Sequence, residues 1–173
     1  MRAAKYLATH GVSKFFKWYD HESWYPLGRP VGTTIYPGMQ FTSVAIWYVL
    51  KMPFWQTIFG LNVKMSLNDV CVFTPAWFGA VATVVLALLT RETTGSWRAA
   101  AASALIMAII PAHTMRSIGG GYDNESVAIT AMCLTFFIWC RSLRTRGSWP
   151  IGLFAGLAYG YMVSTHAVGS HDF

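Results

Sequence analysis

Charge is what this sequence has least of. Only 12% of its 173 residues are Asp, Glu, Lys or Arg, about half the share of an average soluble domain, and mean hydropathy is +0.41. An ordinary water-facing surface is thereby excluded, and the chain reads as a membrane protein. Acids are scarcer than bases, seven against thirteen. The bases sit between apolar runs and form no stripe, which excludes a nucleic-acid partner. Cysteine is limited to Cys71, Cys133 and Cys140, with no C-x-x-C pair and no Cys/His cluster. A zinc module is excluded, and buried free thiols are expected. No G-x-x-x-x-G-K-[ST] occurs, which excludes a nucleotide P-loop. The five histidines are scattered, and neither Ser117 nor Ser126 has a nearby His–acid arrangement for nucleophilic catalysis. The opening "MRAAKYLATHGVSKFFKWYD" has no continuous apolar core of a cleavable signal. A membrane protein that opens this way is expected to lack its own beginning.

What the chain does have is apolar runs. They cover Pro30 to Leu50, Val70 to Thr90, Arg98 to Arg116, Ser126 to Cys140 and Gly147 to Thr165. A spanning helix needs about 20 largely apolar residues, with about 17 at the low end. The last four runs are expected to span, the two shorter ones being extended by polar caps and snorkelling arginines. The first run is different. Gly32, Pro37, Gly38 and Gln40 make its first half turn and loop, and Phe41 to Leu50 is too short to span, so it is expected to be a helix at the interface. The expected fold is therefore all-α: a polytopic membrane helix bundle of about four spans over 70–165, preceded by an external loop over 1–69, with a tail at 166–173. Arginines mark the sides. Arg91 and Arg98 link the first two spans, and Arg141, Arg144 and Arg146 link the last two. Both links are assigned to the cytosol because basic residues near span ends stay there. The middle link, with Arg116 against Asp123 and Glu125, faces outward.

That link reads "RSIGGGYDNES", Arg116 to Ser126. Two acids at i and i+2 between uncharged segments admit two readings. Asp123 could cap the following helix with Glu125 in its first turn, at the positive end of the helix dipole. Alternatively, their hard oxygens could share one divalent cation, although two carboxylates are too few to complete its shell. Gly119 to Gly121 would admit a close ligand or make a loose turn. Asn124-Glu125-Ser126 is formally an N-glycosylation acceptor, but against a helix start it is expected to stay unmodified.

The order of motifs resembles a known family. "WYDHESWYPLGRPVGTTIYPGMQFTS", "PAHTMRSIGGGYDNES" and "GLAYGYMVST" are similar, in order and spacing, to segments of the catalytic subunit of oligosaccharyltransferase. The resemblance covers about Lys5 to Thr165. It implies a multi-pass protein of the endoplasmic reticulum membrane that transfers a preassembled oligosaccharide from a dolichyl diphosphate to Asn in Asn-X-Ser/Thr of an acceptor polypeptide, working with other subunits. It further implies that Asp123 and Glu125 belong to a site for Mn2+ or Mg2+, with Asp123 a direct ligand. Arg116 would match an arginine linked to catalysis, stabilising negative charge near the acidic loop or the diphosphate.

The departures are equally specific. The family's first acidic motif would precede this chain, and Asp20 and Glu22 are not that motif. Its later loop glutamate and its W-W-D-Y-G motif are absent, and after "YMVST" the chain reads "HAVGSHDF" instead of W-G-G-Y. The chain is accordingly expected to be a fragment with part of the active site and no activity by itself. Two other classes use the same residues differently. An ion-coupled transporter would place Asp123 and Glu125 inside a bundle, and a non-catalytic membrane subunit would use them as helix caps.

Overall fold

The computed structural model describes residues 1–52, 65–144 and 147–165. Arg146 and the tail at 166–173 lie outside the described residues. The regular elements among the described residues are all helices, with no strand, as the all-α expectation requires. They fall into two compact units, Met1–Phe73 and Thr74–Phe173.

The first unit contains α1 (Arg2–His10), α2 (Val12–Phe15), α3 (Val31–Thr34) and α4 (Gly38–Lys51). Its core is small: Ala4 and Leu7 of α1, Phe15, and Met39, Ser43 and Val44 of α4 are buried. Tyr6 stacks on Trp18 at 4.2 Å between centroids. Gly32 lies so close to the Phe15–Phe16 backbone that a Cβ there would stand 2.3 Å from the Phe15 carbonyl oxygen. Between α2 and α3, Asp20 and Arg29 exchange two backbone hydrogen bonds of 2.8 Å. The Asp20 carboxylate accepts from Ser23 Oγ at 2.6 Å and from the Glu22 amide at 3.1 Å, and Arg2 pairs with it at 3.1 Å. These donors, Ser23 first, hold the Asp20 carboxyl below its ordinary range. The loop expected over Pro30 to Gln40 is shorter than its composition suggested. Helix α4 begins at Gly38, directly after Pro37, because proline's fixed φ suits a helix start and its missing N–H is not needed there. At about 1.5 Å per residue, the 14 residues of α4 fall short of a hydrocarbon core.

Helix α5 (Leu67–Thr94) is the chain's long apolar helix. Ser66 and Asp69 start it reciprocally: the Ser66 N–H donates to Asp69 Oδ2 at 2.9 Å and the Asp69 N–H donates to Ser66 Oγ at 3.2 Å, a capping box. Gly95, at φ 71°, ends it and donates to the Arg91 carbonyl at 2.8 Å. Among the described residues α5 alone is long and apolar enough by itself to cross a membrane.

The second unit continues through α6 (Trp97–Ile109), α7 (Pro111–Arg116), α8 (Glu125–Ser142) and α9 (Trp149–Thr165). The run from Arg98 to Arg116 is not one helix, as expected, but two. Ile110 is extended at ψ 123°, the conformation that a following proline imposes on its neighbour, and Pro111 opens α7. Helices α8 and α9 pack against each other over much of their length. Thr130 of α8 shares its hydroxyl between the Ser126 carbonyl, 2.9 Å away, and the Phe78 carbonyl of α5, 2.8 Å away. At the other end of α5, Glu92 is held by Arg141 at 3.5 Å and Arg144 at 3.1 Å. Large apolar side chains such as Leu105, Ile109, Leu153 and Leu157 point outward, the surface expected where lipid or another apolar partner is the neighbour.

Candidate functional site

The α7–α8 junction brings the three sequence-predicted site residues together. Arg116, the last residue of α7, places Nε 2.8 Å from Glu125 Oε2 and Nη1 3.5 Å from Asp123 Oδ2. All three side chains are substantially exposed: 53% for Arg116, 48% for Asp123 and 38% for Glu125. One guanidinium thus bridges two carboxylates, leaving the trio one negative charge in excess. Because the pairs are solvated, each contributes little to stability, about 0–1 kcal/mol.

The connecting loop is built from tight turns. Tyr122 N–H donates to Gly120 O at 2.9 Å, and Asp123 N–H donates to Gly121 O at 2.8 Å. Gly120 sits at φ 91°, where a side chain would be strained, so the turn reading of the glycines has a definite cause. Of the capping reading only half survives. Glu125 does lie in the first turn of α8, but the N-cap is Asn124, with no side-chain cap bond. Asp123 Oδ1 instead accepts from the adjacent Asn124 N–H at 2.8 Å, whereas a capping side chain reaches two or three residues into the helix. The acids stand at the exposed loop and the first turn of α8, not inside the bundle that an ion-coupled transporter would use.

Several residues that fix the junction carry no charge signal in the sequence. Asn124 Nδ2 donates to the carbonyl of Thr165, the last residue of α9, at 2.9 Å. On the α7 side, buried His113 lies with Nε2 3.2 Å from the Gly79 carbonyl of α5. A Cβ on Gly79 would stand 2.5 Å from Ser117 Cβ, so the absence of a side chain there lets α5 and the end of α7 meet. His113 Nδ1, Ser117 Oγ and Ser126 Oγ are buried without a hydrogen-bond partner. The i, i+4 spacing of His113 and Ser117 was the available signal, since such residues share a helix face. The Asn124-Glu125-Ser126 acceptor triplet is not presented, because the Asn124 amide is engaged and Ser126 is fully buried.

A hard divalent cation suits the chemistry of this donor set but not its number. Asp123 and Glu125 offer carboxylate oxygens, the ligand type Mg2+ and Mn2+ take. Among the described residues no group of three or more His, Cys, Asp or Glu could hold a metal ion. The pair can furnish part of such a site and not the whole of it.

These features define an all-helical chain with one helix of membrane-crossing length and an arginine-bridged acid pair at a helix junction. Residues 1–169 match the family model described as oligosaccharyl transferase STT3, N-terminal, and the chain belongs to that family. It is similar to the dolichyl-diphosphooligosaccharide–protein glycosyltransferase subunit STT3A of Oryza sativa subsp. japonica, with 40% identity over 162 residues, 94% of this chain and 19% of the relative. Subunit stt-3 of Caenorhabditis elegans is 39% identical over 165 residues, 94% of this chain and 20% of that protein. Subunit stt3 of Schizosaccharomyces pombe is 38% identical over 163 residues, again 94% and 20%. The chain therefore spans about a fifth of the length of the relatives it matches.

Proposed function

We propose that this chain supplies part of the active site of an oligosaccharyltransferase. The enzyme moves a preassembled oligosaccharide from a dolichyl diphosphate to the side-chain amide of Asn in Asn-X-Ser/Thr. Family membership supports the reaction class, and the observation that carries the assignment is the Arg116 guanidinium between Asp123 and Glu125. Arg116 holds the two acids close together, and its exposed face is available to a diphosphate oxygen. The excess negative charge of the trio attracts a cation. Asp123 and Glu125 would hold Mn2+ or Mg2+, with further ligands from outside this chain's described residues. The bound metal would act as a Lewis acid toward the departing diphosphate and orient the acceptor amide.

The matching arrangement in the membrane has four spans: α5, the broken pair α6–α7, α8 and α9. Helices α8 and α9 have 18 and 17 residues, within the range of about 17–25 for a span. The acid loop then faces the lumen of the endoplasmic reticulum, and Arg91, Arg98, Arg141 and Arg144 face the cytosol. Such a subunit works alongside other subunits of the complex.

A chimera tests the proposal directly. Residues 1–165 replace the matching segment of the Schizosaccharomyces pombe subunit, and glycopeptide formation from a lipid-linked oligosaccharide and an Asn-X-Thr peptide is measured in membranes. Transfer is expected, and its loss with Arg116→Ala. A chimera that is present at normal level and transfers nothing would refute the assignment.

A further inference from the structure

We propose that Asn124, the middle residue of Asp123-Asn124-Glu125, is a positioning residue that ties the acid pair to the end of α9. The inference rests on the active-site reading of the two acids and extends it to a residue that neither binds nor reacts. Asn124 is held in three directions. Its side-chain Nδ2 donates to Thr165 O across 41 positions of sequence. Its backbone N–H donates to Asp123 Oδ1 at 2.8 Å. Its carbonyl accepts from the Ala128 N–H at 2.9 Å, the opening bond of α8.

The last carbonyls of a helix have no donor within the helix and carry its negative partial charge. Thr165 ends α9 and is fully buried, so its carbonyl needs a donor from elsewhere. The Asn124 amide is that donor. Aspartate at 124 would match the shape and favour the start of α8, but would set an oxygen against the Thr165 oxygen. The asymmetry of the triplet follows. Its outer residues present carboxylates to Arg116, and its middle residue presents an N–H in another direction. Asp123 leans on the Asn124 backbone, and Glu125 follows it into the first turn, so the tie to α9 locates both.

The test uses the complete subunit in its membrane assembly, with Asn124→Asp and Asn124→Gln. Spin labels at Ile118 and Val163, both on the surface of the fold, report the separation of the acid loop from α9. Asn124→Asp is expected to broaden that distance distribution. It should also lower kcat, with little change in KM for the acceptor peptide, by on the order of tenfold or more, since misplacement by about 1 Å can cost about a hundredfold. Asn124→Gln keeps the donor and should recover most of both. A narrow distribution and full transfer in Asn124→Asp would overturn the inference. So would lost transfer with an unchanged distribution, which would make Asn124 a substrate contact. If the unsubstituted subunit transfers nothing, the active-site reading fails, and the label distances alone decide whether the tie exists.

Discussion

Asp123→Asn separates a structural acid from a functional one within a single side chain. Asparagine keeps an oxygen where Asp123 Oδ1 accepts the Asn124 N–H at 2.8 Å, so the local turn is retained. What disappears is the charge facing Arg116 at 3.5 Å, between side chains that are each about half exposed. An exposed pair of that kind is worth about 0–1 kcal/mol. A charge near a helix start adds about 0.3–1 kcal/mol. The summed stability loss should therefore stay under about 2 kcal/mol on these scales, and protein level should remain near that of the unsubstituted form. Function should respond very differently. If the pair holds the cation as proposed, the change takes away one of the two carboxylates this chain would provide, and transfer should fall by on the order of a hundredfold or more, the upper end of what loss of a supporting ligand costs. The assay is glycopeptide formation by the complete subunit at saturating Mn2+, with thermal unfolding measured in parallel. Full transfer by Asp123→Asn would refute the metal assignment and leave Asp123 a turn residue.

Further outcomes follow from other parts of the chain. Gly79→Ala should destabilise the second unit: overpacking costs about 1–3 kcal/mol, against a gain of up to about 1 kcal/mol in helix propensity. Gly156→Ala, with nothing within 4 Å of its new Cβ, should be neutral or stabilising, and thermal unfolding showing the reverse order would sink the packing argument. Asp20, held below its ordinary value of 3.8, should stabilise the first unit fully above that value and progressively less as pH falls from there through its lowered folded value. Hydrogen exchange across residues 18–32 should accelerate below about pH 4, near the ordinary carboxylate value, and Asp20→Asn should remove that acid dependence. For topology, Ile118→Cys in a background lacking Cys71, Cys133 and Cys140 should react with an impermeant thiol reagent from the lumenal side only; labelling from the cytosol alone would invert the four-span arrangement.

What the sequence disclosed was mostly local. Runs of apolar residues located α5, α8 and α9 because length and composition are read along one segment. That Arg116 would stand near the acidic loop came from the family resemblance, and its ion pairs with Asp123 and Glu125 agree with that. Pro111 stood in the sequence as well, and its effect on Ile110 divides the third run; a reading by length and hydropathy alone passes over such a break. Of the two readings open for Asp123, the capping one falls a residue away, at Asn124, a difference that depends on backbone angles there. The ties from Asn124 to Thr165 and from His113 to Gly79 were not readable at all. They join residues 41 and 34 positions apart, and only the register of one helix on another decides which atoms meet.

The acids themselves show where the chain leaves charge uncommitted. Glu92 has a side chain only 9% exposed and two arginines upon it, so its charge is more than balanced and it joins α5 to the α8 end. Asp69 closes a capping box with Ser66. Asp20 and Glu22 share Arg2, which superficially repeats the arrangement at Arg116. The difference lies in the remaining oxygens. Asp20 is 5% exposed and also takes the Ser23 hydroxyl and the Glu22 amide, so a cation arriving there would have to displace a filled set of donors. Asp123 has one amide and a long, exposed contact with Arg116; Glu125 has the same arginine. Two acids on one guanidinium, both open to solvent and neither saturated, leave a negative charge that the fold does not itself require. In a chain with so few charges, that unsaturated pair is what the proposed function draws on.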